Sequence, residues 1–162
     1  MIRFAVVVPL YNKRPHIERA LNSIFAQTEA PAEIFVVDDA STDGGLDEVV
    51  RYRDERLNIL RRPEPGPGGY AARNMAVLRA QSDWIAFLDA DDAWVPDHLA
   101  TIAAAIEQSA SPRLACAFTG YSNVWPGGRQ ESDPYTRQVG RSETRALDFP
   151  ALLNAWLDLK EC

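Results

Sequence analysis

Apolar positions in the first hundred residues switch repeatedly between two spacings. Residues 3–8, Arg-Phe-Ala-Val-Val-Val, form an apolar run rich in β-branched side chains and closed by Pro9, which predicts a strand. Ile17, Ala20, Leu21, Ile24 and Phe25 then recur at helical spacing over 14–26. The same alternation predicts a strand over Glu33–Val37, a helix over 44–53, a short strand over Leu57–Leu60 and an alanine-rich helix over 70–80. A fourth strand over Trp84–Leu88 precedes a helix from about Pro96 to Gln108, whose proline falls in the first turn, where no N–H is needed.

Strands alternating with helices point to an α/β fold, because parallel neighbours need long crossover connections. Ala5–Val8 and Ile34–Val37 are apolar at every position, so both belong in the middle of a mostly parallel central sheet flanked by helices. Ligands of such sheets bind beyond the carboxyl ends of the strands. Tyr11-Asn12, Asp38-Asp39 and Asp89 to Asp92 each follow a predicted strand, which places three polar corners on one rim.

Past residue 112 the pattern weakens. A further strand is expected over Leu114–Thr119, then a loop over 120–145 rich in Gly, Pro, Ser, Arg and acids. Over Phe149–Leu159, Leu152, Leu153, Trp156, Leu157 and Leu159 supply the apolar face of an amphipathic helix. The expected organisation is a core over 1–120, an irregular loop over 121–145 and a C-terminal helix within 146–162.

Composition narrows the class. With 162 residues, 46% hydrophobic and 25% charged, the chain has the makings of one ordinary globular domain. No apolar stretch approaches the ~20 residues of a membrane-spanning helix. Met1 leads through one residue pair into a strand without a secretory signal pattern, so a cytoplasmic location is expected. A net charge of −6 disfavours a nucleic-acid partner and means that a phosphate-bearing ligand would need a cation. Cys116 and Cys162 form no disulfide or zinc pattern, and Cys116, inside an apolar run, is expected to be a buried small hydrophobe.

Asp89-Ala90-Asp91-Asp92 places three carboxylates within four residues of a strand end, where they repel one another unless water or a cation lies among them. Oxygen donors suit Mg²⁺ or Mn²⁺, commonly held by one or two carboxylates together with substrate phosphates. The alternative is an acidic turn capping the helix that begins near Pro96. Asp38-Asp39 ends the second strand, and successive side chains there point to opposite sides, so one acid can brace the backbone while the other faces a cleft. Ser41 or Asp43 is read as the cap of the next helix, within an Asx-type turn.

Gly66-Pro67-Gly68-Gly69 precedes the helix bearing Arg73, and backbone N–H groups at a helix start can hold phosphate. Arg73 would then steady a phosphate or pair with the acidic rim. The run lacks the Lys-Ser/Thr of a P-loop and the spacing of a dinucleotide fingerprint. His16 and His98 are read as surface or capping residues. The tryptophans are read as packing residues, with Trp94 near enough to the acids to reach the cleft.

Five ordered blocks carry a resemblance: Val-Val-Pro-Leu-Tyr-Asn at 7–12, Ser-Ile-Phe-Ala-Gln-Thr at 23–28, Val-Val-Asp-Asp-Ala-Ser-Thr-Asp at 36–43, Gly-Gly-Tyr-Ala-Ala-Arg-Asn at 68–74 and Phe-Leu-Asp-Ala-Asp-Asp at 87–92. Over residues 3–120 the chain resembles the family 2 glycosyltransferases of GT-A fold. The resemblance implies a Rossmann-like sheet, a nucleoside-diphosphate sugar as donor, an acceptor such as a saccharide, lipid or cell-envelope precursor, and inversion at the anomeric carbon. By position, Pro9 and Tyr11 would line the nucleoside pocket and Asp39 would contact the base, usually uracil. Asp89, which opens the acidic motif, would act at the sugar or metal, and Asp91 would reach the ribose or the metal. With Gly69, Arg73 and Ala90 these complete the expected donor-binding set, and Asp91 with Asp92 would hold Mg²⁺ or Mn²⁺.

The family's general base lies on a later segment without a convincing match here; Glu131, Asp133 and Asp148 have only their charge to offer. The base is therefore expected beyond Cys162, the chain to be a truncated product, and peripheral contact with the inner face of a membrane to be compatible with it. A non-catalytic nucleotide-binding module or inactive fragment is the alternative. A nucleotidyltransferase fits less well, because Leu10-Tyr11-Asn12-Lys13 lacks the glycines of an activation loop.

Overall fold

The structure, a computed structural model, describes residues 2–66, 68–109, 114 and 116–133. The elements run β1 (Phe4–Leu10), α1 (Arg14–Phe25), β2 (Glu33–Asp38), α2 (Gly45–Val49), β3 (Leu57–Arg61), α3 (Tyr70–Val77), β4 (Trp84–Phe87), α4 (His98–Gln108), β5 (Ser122–Val124) and β6 (Gln130–Ser132). Two compact units divide the chain, Met1–Ala103 and Ala104–Cys162.

The first unit is built on a four-stranded sheet of order β3-β2-β1-β4, parallel throughout. β1 and β2 take the centre for the reason their sequence suggests. Val6, Val7, Val8, Val36 and Val37 are fully buried on both faces, each contributing roughly 1.5–3 kcal/mol of apolar burial. α3 covers the face carrying Ala5, Val7, Phe35 and Val37, and its own contact residues, Ala72 and Ala76, are small enough to let the helix lie close. α1 buries a stripe of Ile17, Ala20, Leu21 and Ile24 at helical spacing. The expected α/β architecture is the observed one.

β1 runs through Pro9 rather than stopping before it. In a parallel strand the N–H and C=O of one residue point to the same side, and Val7 accepts from Leu88 N on the β4 side at 3.1 Å. Pro9, two residues on, faces that same side, where β4 has ended at Phe87, so its missing N–H removes no ladder bond. α2 is shorter than expected, entering through Gly44 at φ 80° and ending at Val49. α4 starts at His98, after Pro96, with Leu99 N received by the buried side chain of Gln27 at 2.9 Å.

The second unit corrects two expectations. Among the described residues of 114–119 none is in a strand, and Cys116 is exposed, because the apolar run forms no ladder there that would bury it. Within 120–145, expected to be loop, β5 and β6 pair as an antiparallel hairpin. Gly128 N donates to Trp125 O at 3.0 Å, closing a turn with Pro126 at its second position and Gly127, φ 93°, at its third. That is the chemistry of a type II turn, which a count of Gly and Pro alone does not distinguish from irregular chain. The helix expected over 149–159, Asp148 and Cys162 lie outside the described residues. Among those described, no helix is long and apolar enough to cross a membrane.

Candidate functional site

The ends of β1 and β2 are tied into one rim. Asp39 N donates to Leu10 O at 2.8 Å, Ser41 Oγ donates to Leu10 O and accepts from Asn12 N, and Asn12 Oδ1 accepts from Thr42 N at 2.8 Å. Two non-glycine residues, Asn12 (φ 50°) and Ala40 (φ 60°), hold the left-handed conformation at these corners. Such strain persists only where surrounding bonds enforce it. Ser41 thus braces β1 and does not cap α2. Asp43 is not the N-cap residue either, since Lys13 and Gly44 hold those positions, but its carboxylate accepts from the first N–H of both helices, Arg14 N in α1 (2.7 Å) and Gly45 N in α2 (2.8 Å).

The adjacent acids divide as their alternation requires. Asp38 accepts from Ser41 N at 3.0 Å and closes the turn, whereas Asp39, also buried, faces the cleft. Both Asp39 oxygens lie 3.1 Å from Gly66 N, and the Arg62 guanidinium pairs with Oδ1. A Cβ at Gly66 would stand 2.5 Å from the Arg62 guanidinium and 3.0 Å from Ala71 Cβ, so a side chain there would have to push the guanidinium from its place against Asp39.

The acidic turn after β4 is neutralised in parts. Asp89 pairs with Arg73 of α3, and Asp91 Oδ2 lies 2.6 Å from Lys13 Nζ. The Lys13 hydrogen bond holds the Asp91 carboxyl below its ordinary range. Asp92 is exposed, and desolvation together with Asp91 and Asp89 pushes its carboxyl up. The turn is held from below by α1: Arg19 donates to Asp91 O, Trp94 N donates to Ser23 Oγ at 3.2 Å, and Gln27 Nε2 donates to Val95 O at 2.8 Å. Arg19, Ser23 and Gln27 recur every four residues, so one polar stripe of α1 and its C-terminal extension grips the segment after the acids. Trp94 stacks on His98 with ring centroids 4.5 Å apart, and burial lowers the pKa of that imidazole. His16 is exposed.

A cleft of about 440 Å³ opens on this rim, a size suited to a small ligand. Pro9, Tyr11, Asp39, Gly69, Arg73, Asp89, Ala90 and Asp91 all line it, as do Leu10, Lys13, Gly66 and Gly68. Asp92 is not among the lining residues. Lys13, Arg62 and the α1 stripe were not apparent from sequence; the only signal was that so acidic a rim requires cations nearby. The helix-cap alternative for the acids fails on distance, since α4 begins six residues after Asp92. The donor atoms fit a hard divalent cation. Among the described residues no group of three or more Asp, Glu, His or Cys converges.

In the hairpin unit, Asp133 is buried and its carboxylate accepts from Tyr121 N at 2.9 Å, while Glu131 pairs with Arg129.

Comparison with known proteins extends these observations. The profile of Glycosyl transferase family 2 matches residues 5–155. Over 103 residues the chain is 43% identical to the succinoglycan biosynthesis protein ExoW of Rhizobium meliloti, covering 61% of this chain and 32% of that protein. Over 146 residues it is 39% identical to the putative teichuronic acid biosynthesis glycosyltransferase TuaG of Bacillus subtilis, covering 89% and 55%. Among solved structures, Staphylococcus aureus TarS 1–349 in complex with UDP-GlcNAc superposes with a TM-score of 0.59 at 28% identity, over 78% of this chain and 42% of that one. The mannosyltransferase PcManGT of Pyrobaculum calidifontis, in complex with GDP-Man and Mn²⁺, gives 0.61 at 27% identity, over 86% and 47%. The chain thus spans from about a third to about half of the length of these relatives.

Proposed function

We propose, for a chain that belongs to glycosyl transferase family 2, that the cleft binds a UDP-sugar with a divalent cation and that the protein transfers the sugar to an acceptor hydroxyl with inversion. The single observation that carries this reading is the convergence of all eight expected donor-binding residues on one cleft at the carboxyl ends of β1, β2 and β4.

The roles follow from chemistry. Asp39, anchored by Gly66 N and Arg62, keeps an acceptor oriented toward an N–H of the base, and Tyr11, half exposed, offers a ring for the nucleoside to lie on. Arg73 and the N–H groups at the start of α3 present positive potential to the phosphates. Asp91 would hold Mg²⁺ or Mn²⁺, with Asp92 as the second expected donor. The cation would supply neutralising charge for the departing diphosphate. One displacement then breaks the bond from anomeric carbon to diphosphate and forms the bond to the acceptor oxygen, which inverts the centre; the acceptor proton passes to a carboxylate base outside the set lining this cleft. A cytoplasmic place of action and a cell-envelope saccharide acceptor belong to the same proposal, the latter supported by the polymer-biosynthesis names of the relatives.

Calorimetric titration of UDP, with and without Mn²⁺, into the parent chain and an Asp91→Ala/Asp92→Ala variant tests it. Mn²⁺ should tighten UDP binding in the parent only, and Asp39→Ala should weaken UDP binding even without metal. Equal UDP binding in all four combinations would refute the metal assignment. GDP in place of UDP tests the base: tighter GDP binding would reassign the donor.

A further inference from the structure

One cation in the cleft has no part in the donor binding set out above. Lys13 follows the Tyr11-Asn12 corner, lines the cleft and directs its Nζ to within 2.6 Å of Asp91 Oδ2. Arg19 engages the Asp91 carbonyl oxygen and Arg73 engages Asp89, so Lys13 is the partner of the very carboxylate expected to take the divalent cation. An ammonium at 2.6 Å from Oδ2 and a divalent ion bound to the same carboxylate would repel each other strongly. Both side chains of the pair are 42% exposed, so water reaches them and exchange of partners is cheap. Lysine suits such exchange, being a compact charge on a flexible stem.

We propose that Lys13 is an internal counter-ion that occupies Asp91 until a divalent cation arrives with the nucleoside diphosphate, whereupon the released ammonium pairs with the diphosphate. This rests on the donor-site reading of the cleft. Metal alone must break the Lys13–Asp91 pair and leave the ammonium only Asp92 and the Arg73-paired Asp89 as neighbouring anions, whereas metal with diphosphate supplies a new and more highly charged one. The two ligands therefore bind cooperatively through Lys13, and by reciprocity each tightens the other by the same factor.

Mn²⁺ binding, followed by the electron paramagnetic resonance of the free ion with and without UDP, tests this on the parent chain, Lys13→Met, Lys13→Arg and Asp91→Ala. Lys13→Met should bind Mn²⁺ alone roughly two- to five-fold more tightly, the range that loss of an exposed ion pair spans. It should also bind UDP alone more weakly and show a smaller Mn²⁺–UDP coupling factor, while Lys13→Arg keeps coupling near the parent's. Lys13→Met with the parent's Mn²⁺ affinity and coupling overturns the proposal, as does Lys13→Arg behaving like Lys13→Met. Either result alongside an impaired Asp91→Ala sinks only the role of Lys13. An Asp91→Ala variant that binds Mn²⁺ and UDP as the parent does sinks the donor-site reading itself.

Discussion

At single residues, charge is settled locally before it is available for ligands. Asp54 shows the simplest case: it receives the Arg56 guanidinium at 2.7 and 2.9 Å and the Arg56 N–H at 2.9 Å, just before β3, and its carboxyl is lowered to about 2. A carboxyl with a depressed folded-state pKa contributes stability that is complete above its unfolded value near 3.8 and disappears as pH falls through about 2. Stability measured by urea unfolding should therefore decline between pH 4 and 2, and Asp54→Asn should be weaker at neutral pH with a shallower decline. An unchanged slope in that variant would show that the pair does not persist in solution. Asp38 and Asp39 show what alternation can convey: one strand register sends the first to the turn and the second to the cleft.

Among elements, α1 does more than bury its apolar stripe. Its opposite, polar side carries Arg19 and Ser23, continues to Gln27, and fixes the segment that follows the acidic turn. Gln27 is buried and makes bonds to Ser23 O, Val95 O and Leu99 N, joining three pieces of chain. Gln27→Leu should cost about 1–3 kcal/mol in denaturant unfolding, because buried backbone groups lose their partners. It should also weaken Mn²⁺-dependent UDP binding without touching either ligand. The helical spacing of the apolar stripe was legible in the sequence, whereas the polar stripe was not, because polar residues on a helix are by default solvated. The β5–β6 hairpin escaped for a related reason: its turn depends on which positions Pro126 and Gly127 occupy, not on how many such residues are present.

For the molecule as a unit, a cleft assembled from three strand ends and the start of α3 couples ligand binding to folding of the whole sheet. UDP with Mn²⁺ at a hundred times the dissociation constant should add about 2.7 kcal/mol to the unit that carries the cleft. For a unit of that size, Met1–Ala103, this corresponds to a rise of roughly 10–13 °C in its melting temperature, read by differential scanning fluorimetry. Asp91→Ala should lose most of the Mn²⁺-dependent part, and an equal shift in that variant would place the metal elsewhere. The sequence by itself determined the alternation of elements, the central positions of β1 and β2 and the three polar strand ends, because periodicity encodes which faces are buried and a parallel sheet gathers its carboxyl ends on one side. Only the tertiary structure decided how the rim is neutralised. Lys13 meets Asp91 across 78 residues, Arg62 meets Asp39 across 23 and Arg73 meets Asp89 across 16. Such pairings depend on the register of packed elements and on side-chain reach, neither of which local periodicity records.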